Sequence, residues 1–342
     1  MDLDLEDAGE LLILAGGMLD SDDDDHEIND PVIWFKVTVN VEEYLMMQDA
    51  AFRLHFRMST GIFESLVLVL AEALGENEIL RHNEEFPLRH ILLSVLWILA
   101  TPDTFRSVAL RFGVTPGVLH HHYKEIITVL SDLSAEIVQW PSAEEREILK
   151  EAGEIRTGFP GAVMAIDGSF IPLFYAPHVE PQRFLNRKFD YAVTLQACAD
   201  INLVFRDIYC GEPGSLHDSR VFRRSPLSRR LLEQNLLADG EHILGDSAYI
   251  LTDKVLTPFR NIGNLTVQQI NYNFRLSSLR SMVERAFGLL KMKWRRLFYL
   301  SAKRMDLVVR TVVASITLHN FLIYGGEIPE VDLQHIEPEA NF

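Results

Sequence analysis

The spacing of apolar residues changes at Gly161, and this change limits the possible folds more than any other feature of the sequence. From about Glu43 to Trp140 apolar residues recur at intervals of three and four, the period of an amphipathic helix, and Pro141 opens a short charged helix that ends near Ala152. Beyond Gly161, short apolar runs alternate with helical stretches. The sequence therefore predicts an α/β fold, with a mixed sheet flanked by helices and preceded by an all-α region.

The segments after Gly161 define the predicted sheet. Residues 162–173 form an apolar run and predict a buried strand. Residues 191–199 and 203–209 predict a hairpin, because a turn sequence, Asp200-Ile201-Asn202, lies between them. The remaining predictions are a helix over residues 218–237, a short strand over 243–244, and helices over 277–298 and 307–323. We expect one domain over residues 161–323, after a helical domain over residues 43–152.

Composition excludes several classes of protein. With 48% apolar and 24% charged residues, the chain is not disordered as a whole. Its two cysteines are too few for a disulfide framework or a four-cysteine zinc site. The apolar runs at residues 11–15 and 91–100 are shorter than a membrane span, and the acidic N-terminus does not resemble a secretory signal. We therefore expect a soluble, intracellular protein with no membrane association.

Negative charge is concentrated at the two ends of the chain. The formal net charge is −17, but residues 1–50 hold 15 acidic side chains and one basic, and residues 324–342 hold five acidic and none basic. The body between them has 29 acidic and 31 basic side chains. We predict a disordered acidic tail over residues 1–30, for which a solubilising role is the simplest explanation, and a second acidic tail over residues 324–342.

Residues 101–127 have the layout of a helix-turn-helix. Thr104 is a candidate cap for a first helix, Gly113 lies in a turn, and Thr115 precedes a second helix. In this interpretation histidines 120–122 and Lys124 face DNA. An ordinary helical hairpin explains the same pattern, because the second helix offers no arginine on its exposed face. The three histidines do not predict a metal site, since successive helical residues point about 100° apart.

Asp167 and Asp246 each follow a short apolar strand. Asp167 ends the run Val163–Ile166 and precedes Gly168, while Asp246 ends the run Ile243–Gly245 and precedes small residues. An ionised carboxylate in such a place is costly unless a cation or hydrogen-bond donors satisfy it. The ends of strands are also where α/β proteins build their sites. Aspartates that initiate turns are the alternative for both, because Asp-Gly is a turn pair.

Glu284 is the single acid in residues 275–304, which carry nine basic side chains. In the predicted helix 277–298 it borders the apolar stripe, and Arg280, Lys291 and Arg295 share its face, where they can hold phosphate. The alternative is a surface glutamate that makes helix ion pairs. Asp218 opens the helix predicted over 218–237, where helix capping and metal ligation are both compatible with the sequence.

Acids on two strand ends and one helix can meet at one edge of a sheet. Because such carboxylates repel one another, a bound divalent cation usually compensates their charge, and hard oxygen ligands suit Mg²⁺ or Mn²⁺. Two such ions would activate water and stabilise the leaving oxygen of a phosphodiester. We predict metal ligation by Asp167, Asp218, Asp246 and Glu284, and DNA contacts by Arg280, Lys291, Arg295 and Lys124.

Six short motifs occur along the chain in a fixed order. They are Ala165-Ile166-Asp167-Gly168, Asn186-Arg187-Lys188, Pro213-Gly214-Ser215 with His217-Asp218-Ser219, Gly245-Asp246-Ser247-Ala248-Tyr249, Val283–Lys291 and Leu318-His319-Asn320-Phe321. As an ordered set they resemble the PIF/Harbinger transposases and the nucleases derived from them, over residues 43–323. The segment Phe52–Arg57 with Met58-Ser59 and the helix-turn-helix candidate also match the N-terminal part of that family. Ala248 is a departure, since the family more often has glycine there.

The resemblance implies an RNase H-like core in which Asp167, Asp246 and Glu284 are the catalytic DDE triad, with 38 residues from the second to the third. Asp218 falls on a further acid of the family beside the metal site. The family cuts DNA at transposon ends and joins it to target DNA. Its members work with a separate Myb-like DNA-binding partner that assists nuclear entry, so we expect the chain in the nucleus and also in the cytoplasm. The oligomeric state is open, a homo-oligomer included.

Three functions are compatible with the sequence. The first is a metal-dependent nuclease or transposase, and the second is a domesticated, catalytically silent DNA-binding or scaffold protein in the nucleus. The third is a metal-dependent phosphohydrolase of small phosphoesters, which would need a closed pocket. The intact acids favour the first over the second, and the extended cationic face of helix 277–298 favours a polymeric substrate over a small one.

Overall fold

The computed structural model of the chain describes residues 40–75, 87–234 and 236–327, together with the backbone of two short strands before them. These strands, Leu11–Leu14 (β1) and Val32–Phe35 (β2), pair in antiparallel. β1 falls inside the predicted tail over residues 1–30, the rest of which lies outside the described residues. The predicted C-terminal tail also lies outside them beyond Glu327.

The residues before Gly161 form helices, as their apolar spacing predicts. Polar caps set several of the helix starts: Ser59, Thr104, Thr115 and Ser142 each accept a hydrogen bond from the backbone N–H three residues on. The helices are Glu42–Leu45 (α1), Asp49–Phe56 (α2), Thr60–Leu74 (α3), Leu88–Ala100 (α4), Phe105–Phe112 (α5), Pro116–Asp132 (α6), Ser134–Ile137 (α7) and Ala143–Thr157 (α8).

The residues after Gly161 form a five-stranded mixed sheet. Its strands are Ala162–Pro172 (β3), Ala192–Ala199 (β4), Phe205–Pro213 (β5), His242–Leu244 (β6) and Val255–Leu256 (β7). The spatial order is β5-β4-β3-β6-β7, in which β3, β4 and β5 are antiparallel, and β6 and β7 run parallel to β3. This α/β arrangement confirms the predicted fold class and is the RNase H-like sheet that the resemblance implies.

Helices cover both faces of the sheet. They are Asp218–Arg224 (α9), Pro226–Glu233 (α10), Val267–Lys293 (α11) and Met305–Tyr324 (α12), with short 3₁₀ turns at Pro181–Phe184 and Arg295–Phe298. α11 lies along β3, and α12 packs between β5 and α6. By length and hydropathy alone α12 could cross a membrane, as could α2 and α3 if that bent pair were one span, but 67% of the apolar window of α12 is buried inside the fold.

Several predicted helices have different bounds in the structure. The helix predicted over 218–237 is two helices, because Pro226 has no N–H to continue the hydrogen-bond ladder of α9. The helix predicted to end near Ala152 continues through Gly153 to Thr157. An added Cβ at Gly153 would lie 3.1 Å from a methyl of Leu279, so glycine lets α8 approach α11 closely. β7 was not predicted, since two residues carry too little pattern.

The helix predicted over 277–298 is Val267–Lys293. It begins ten residues earlier than predicted, because Thr266 and Gln269 form a reciprocal capping box. It ends at Lys293 because Trp294 leaves the helical conformation and is fully buried. Arg295 therefore follows the helix and is not part of it.

One apolar core joins the helical region to the sheet. The buried aromatic side chains of α2, α3 and α4 lie in the same cluster as residues of β3, β4, α11 and α12, and the fully buried Trp294 belongs to it. The hydroxyls of Tyr123 on α6 and Thr311 on α12 hydrogen-bond at 2.9 Å inside this core. A smaller apolar cluster on the opposite face of the sheet packs α9 and α10 against β3 and β6. The predicted domains over 43–152 and 161–323 thus share a core.

Candidate active site

β3 and β6 place Asp167 and Asp246 just beyond the same end of their parallel pairing, in the middle of the sheet. The last paired residues of these parallel strands are Ala165 and Leu244. Asp167 lies two residues after Ala165, and Asp246 lies two residues after Leu244. Both side chains are half-buried. The two carboxylates are close enough to interact, since the negative charge of Asp246 contributes to raising the pKa of Asp167. The structure therefore brings together the two aspartates that the sequence analysis singled out.

Asp246 organises its own turn, whereas Asp167 lies inside β3, where it pairs with Ala197 of β4. Oδ1 of Asp167 accepts the N–H of Gly168 at 2.9 Å, and Oδ1 of Asp246 accepts the N–H of Ala248 at 2.9 Å. The turn alternative is therefore wrong for Asp167, while for Asp246 the turn and the site interpretations are compatible. In both cases the second carboxylate oxygen remains for another partner.

Asp218 lies across Gly168. A Cβ at Gly168 would collide with Oδ1 of Asp218, so the glycine allows this carboxylate to approach β3. His217, and not Asp218, is the N-cap residue of α9. Burial raises the pKa of Asp218, and the negative charge of Asp246 adds to the effect. Asp218 thus belongs to the same group of acids.

α11 brings Glu284 to this group through Arg280. One guanidinium nitrogen of Arg280, Nη1, lies 3.3 Å from Oδ2 of Asp167, and the other, Nη2, lies 2.6 Å from Oε1 of Glu284. The side chain of Asp167 is 18% exposed, whereas that of Glu284 is 41% exposed. Arg280 therefore stands between the strand carboxylate and the helix carboxylate and partly neutralises both.

Burial raises the pKa of Asp167 to about 7, and the charges of Asp246 and Glu284 act in the same direction. The Arg280 guanidinium and the Gly168 N–H oppose this shift. A further cation at the site would lower the pKa of Asp167 again, because it favours the ionised carboxylate.

Lys291 is half-buried between α11 and β3. Its Nζ donates to Oγ of Ser169 and to the carbonyl of Phe170, both at 2.8 Å, and burial lowers its pKa to about 8. These contacts fasten α11 to the strand that carries Asp167. The geometry thus gives Lys291 a structural role, and its DNA contact stays a prediction.

Arg295 lies outside this site. α11 ends at Lys293, and Arg295 belongs to the following 3₁₀ turn, near Arg57. The prediction that Arg295 shares a helix face with Glu284 is wrong, because the buried Trp294 breaks the helix before it.

The helix-turn-helix candidate has the predicted caps but a largely buried second helix. Thr104 and Thr115 cap α5 and α6, and Gly113 ends α5 in the left-handed conformation with φ 67°. His122 is buried, and burial lowers its pKa to about 4. His122 therefore faces the core and not DNA, which corrects that part of the prediction. Lys124 is half-buried on the same helix, far in sequence from the acids, and its DNA contact stays a prediction.

Tyr249 is a site residue to which the sequence analysis gave no role, although it ends the motif that contains Asp246. Its hydroxyl is buried and has no hydrogen-bond partner within the described part of the chain. Burial raises its pKa well above the usual value, and the charges of Asp218 and Asp167 add to this. The ordered spacing Asp246-Ser247-Ala248-Tyr249 was the signal that could have found it.

A groove of about 820 Å³ opens beside these residues. It is lined by His217, Ser219, Ser247, Ala248, Tyr249, Ile250, Pro258, Phe259, Arg260 and Asn261. The lining therefore includes the neighbours in sequence of both Asp218 and Asp246. The groove thus adjoins the two segments that carry these acids.

Comparison with known proteins identifies the region that holds the acids. Residues 166–320 match the sequence profile of the DDE superfamily endonuclease family. This region is a DDE superfamily endonuclease domain. The match includes Asp167, Asp218, Asp246 and Glu284.

Two named relatives agree with the Harbinger resemblance. The chain is 26% identical over 211 residues to "Protein ALP1-like" of Arabidopsis thaliana, which covers 58% of this chain and 51% of the relative. It is 24% identical over 246 residues to "Putative nuclease HARBI1" of Homo sapiens, which covers 66% of this chain and 68% of the relative. The chain thus spans about half the length of the plant relative and about two thirds of the human one. No solved structure matches the chain.

The last motif of the DDE domain has a structural role. Oδ1 of Asn320 accepts the N–H of Phe205 at 3.0 Å, and its Nδ2 donates to the carbonyl of Phe205 at 2.7 Å. Nε2 of His319 donates to the carbonyl of Leu203 at 2.9 Å. These bonds fasten α12 to the turn between β4 and β5, where Leu203 has φ 66°.

The carboxylates of the DDE domain fit a hard divalent cation by their chemistry. Domains of this family typically use such ions, and oxygen ligands suit Mg²⁺ or Mn²⁺. Among the described residues, no three Asp, Glu, His or Cys side chains lie close enough together to hold an ion. Arg280 lies between Asp167 and Glu284, so an ion bound by both requires Arg280 to move.

Proposed function

We propose that this chain is a metal-dependent DNA endonuclease in which Asp167, Asp246 and Glu284 are the catalytic residues and Asp218 is a further metal ligand. The observation that carries the proposal is the placement of Asp167 and Asp246 two residues past the last pair of the adjacent parallel strands β3 and β6. The DDE domain supports this assignment, because all four acids lie within it.

The acids would hold Mg²⁺ or Mn²⁺, which when bound supplies an activated water and stabilises the leaving oxygen of a phosphodiester. The N–H of Gly168 holds the carboxylate of Asp167, and the turn at Asp246 orients the carboxylate of that residue. We infer that Arg280, once displaced from between Asp167 and Glu284, holds the phosphate that is cleaved, because a guanidinium group is a preferred phosphate ligand. In a chain that still transposes, the same site would also join DNA strands.

DNA is favoured over a small phosphoester by the shape of the site. The groove is open and carries the exposed side chains of Phe259 and Arg260, which suit a base and a phosphate respectively. The near-neutral body of the chain offers weak long-range attraction to DNA. We infer that a Myb-like DNA-binding partner supplies target recognition, and that the chain acts in the nucleus.

A second function, a catalytically silent DNA-binding or scaffold protein, is favoured by one observation. Arg280 already neutralises Asp167 and Glu284 in part without a metal ion, as the ion pairs of a purely structural site would. The two functions differ in whether the acids support turnover.

A measurement of DNA cleavage by Glu284→Gln distinguishes the nuclease from the catalytically silent protein. The substitution is nearly isosteric at a half-exposed position, so the fold and DNA binding should persist. Mn²⁺-dependent nicking of terminal-repeat DNA, with the partner supplied, should fall at least about 100-fold, because the loss of charge at a metal ligand costs several kcal/mol of barrier. Glu136→Gln, at an exposed glutamate of α7, is the matched control and should cleave like the wild type. Equal cleavage by Glu284→Gln and the wild type would refute the assignment, and DNA binding without cleavage by any of the proteins would favour the silent function.

A further inference from the structure

A second group of cations lies on the other side of α11 from the acids. Lys293 follows Glu284 by nine residues, or two and a half helical turns, so the two side chains point in opposite directions. Around Lys293 lie Arg53 and Arg57, from the end of α2, and Arg57 in turn is close to Arg295. We call these four residues, Arg53, Arg57, Lys293 and Arg295, the basic cluster.

The basic cluster has fewer carboxylates than cations. Glu327 lies 3.2 Å from Arg53 and 3.9 Å from Lys293, and it also accepts a hydrogen bond from the N–H of Ser59. Asp49 pairs with Arg53 at 2.7 Å. Among the described residues neither Arg57 nor Arg295 has a carboxylate partner. Two guanidinium groups are therefore close to each other without a counter-charge.

Arg57 is held in an unusual backbone conformation. It ends α2 with φ 64°, in the left-handed region that glycine and asparagine adopt most easily. Its Nε is buried and has no hydrogen-bond partner within the part of the chain that the structure describes. This backbone conformation does not favour arginine, so we attribute the arginine at this position to a function of its side chain.

Arg296, in the same segment, has a structural role and serves as a comparison for Arg295. It is buried, and it donates hydrogen bonds to the backbone carbonyls of Ile98 and Asp103. Its neighbour Arg295 is exposed and makes no such bonds among the described residues. The two adjacent arginines therefore have different roles: Arg296 bonds to the interior of the fold, whereas the side chain of Arg295 lies at the surface.

We propose that the basic cluster binds the phosphate backbone of DNA, at a site separate from the carboxylates, with Arg57 and Arg295 as its principal contacts. Unpaired guanidinium groups are the preferred protein ligands of phosphate. Glu327 already occupies the inner side of the cluster as an internal anion, and DNA would compete with it for Arg53 and Lys293. This inference rests on the proposed DNA substrate. It assigns a function to the segment Phe52–Ser59, which lies outside the DDE domain.

The test is the salt dependence of DNA binding by Arg57→Asn/Arg295→Gln in the full chain, measured by fluorescence anisotropy with a labelled duplex. Asparagine is used at 57 because it tolerates the left-handed conformation. The loss of two phosphate contacts should lower the slope of log K against log salt by about two and weaken binding about tenfold to a hundredfold at physiological salt. The matched control is Arg229→Gln/Arg310→Gln, which removes the same charge from helices α10 and α12 outside the cluster and should bind nearly like the wild type.

Glu327→Gln gives an independent measurement. If DNA and Glu327 compete for the same cations, this variant should bind DNA more tightly than the wild type, whereas a purely structural Glu327 would leave the affinity unchanged. Unchanged affinity and slope in Arg57→Asn/Arg295→Gln would overturn the inference while leaving the proposed nuclease intact. Failure of the wild type to bind any DNA would overturn both, and loss of cleavage by Glu284→Gln with normal binding would support the nuclease alone.

Discussion

Replacing Arg280 by glutamine should destabilise the metal-free protein and increase its response to metal. The Arg280–Asp167 pair is mostly buried, with side chains 19% and 18% exposed, and its loss costs about 1.5–3 kcal/mol. The pair with Glu284 contributes little more, about 0.3–0.5 kcal/mol, because it is an exposed pair one helical turn apart. Protonation of Asp167 relieves part of the loss, since its pKa is already about 7. We expect a net loss of about 2 kcal/mol at about pH 8.

Mg²⁺ or Mn²⁺ should restore most of this loss, because the ion takes the place of Arg280 between the carboxylates. The assay is urea unfolding of the wild type and Arg280→Gln, each with EDTA and with metal. The control is Arg310→Gln, whose partner Asp132 is exposed, so its loss should stay below about 0.5 kcal/mol in both conditions. A smaller metal-induced stabilisation of Arg280→Gln than of the wild type would refute the reasoning, because it would show that Arg280 helps the acids to bind metal.

Three further predictions concern residues of the DDE domain. Burial lowers the pKa of His319 to about 4, against 6.5 in the unfolded chain, so the free energy of unfolding falls as the pH drops from about 6.5 towards 4. In His319→Gln this fall between about pH 7 and pH 4.5 should be smaller by about 2 kcal/mol, as measured by urea unfolding. An equal fall in the variant and the wild type would contradict the prediction. Tyr249→Phe removes a buried hydroxyl without a partner, so the free energy of unfolding should stay the same or rise by up to about 1 kcal/mol; a clear drop would reveal a partner for the hydroxyl. Gly168→Ala should lower the free energy of unfolding by about 1–3 kcal/mol and abolish cleavage, because the added Cβ displaces Asp218. Gly288→Ala is the control: it has open space in α11 and should raise the thermal midpoint. Similar midpoints for the two variants would argue against the displacement of Asp218.

Local signals in the sequence predicted much of the sheet and the position of its acids. β3 is a largely apolar run that contains Asp167 and ends at Pro172, and β6 is a short apolar run that ends before Gly245 and Asp246, so the type and limits of both strands depend on near neighbours. Thr104 and Thr115 cap their helices for the same reason. The parallel pairing of β3 with β6 then follows from the RNase H-like topology, which the ordered motifs implied.

The features that could not be predicted depend on tertiary contacts. Helix periodicity places Lys291 on the face of Glu284, but only the packing of α11 on β3 shows that its ammonium group bonds to Ser169. Likewise, Trp294 fits a helical stripe, yet its burial ends the helix and sends Arg295 to another surface. The capping box of Thr266 was a visible signal for the true start of α11, and it was missed because the apolar pattern is weak there.

The proposed nuclease requires that Asp167 and Asp246 form one metal site where the pairing of β3 with β6 ends. Its most direct test is anomalous diffraction from crystals of the full chain soaked in Mn²⁺, at a wavelength where manganese scatters anomalously. We predict a peak in contact with the carboxylates of both aspartates, with the guanidinium of Arg280 moved away from Asp167. A Mn²⁺-saturated crystal with no peak at these two side chains, or with Arg280 still paired to Asp167 and the ion elsewhere, would contradict the account.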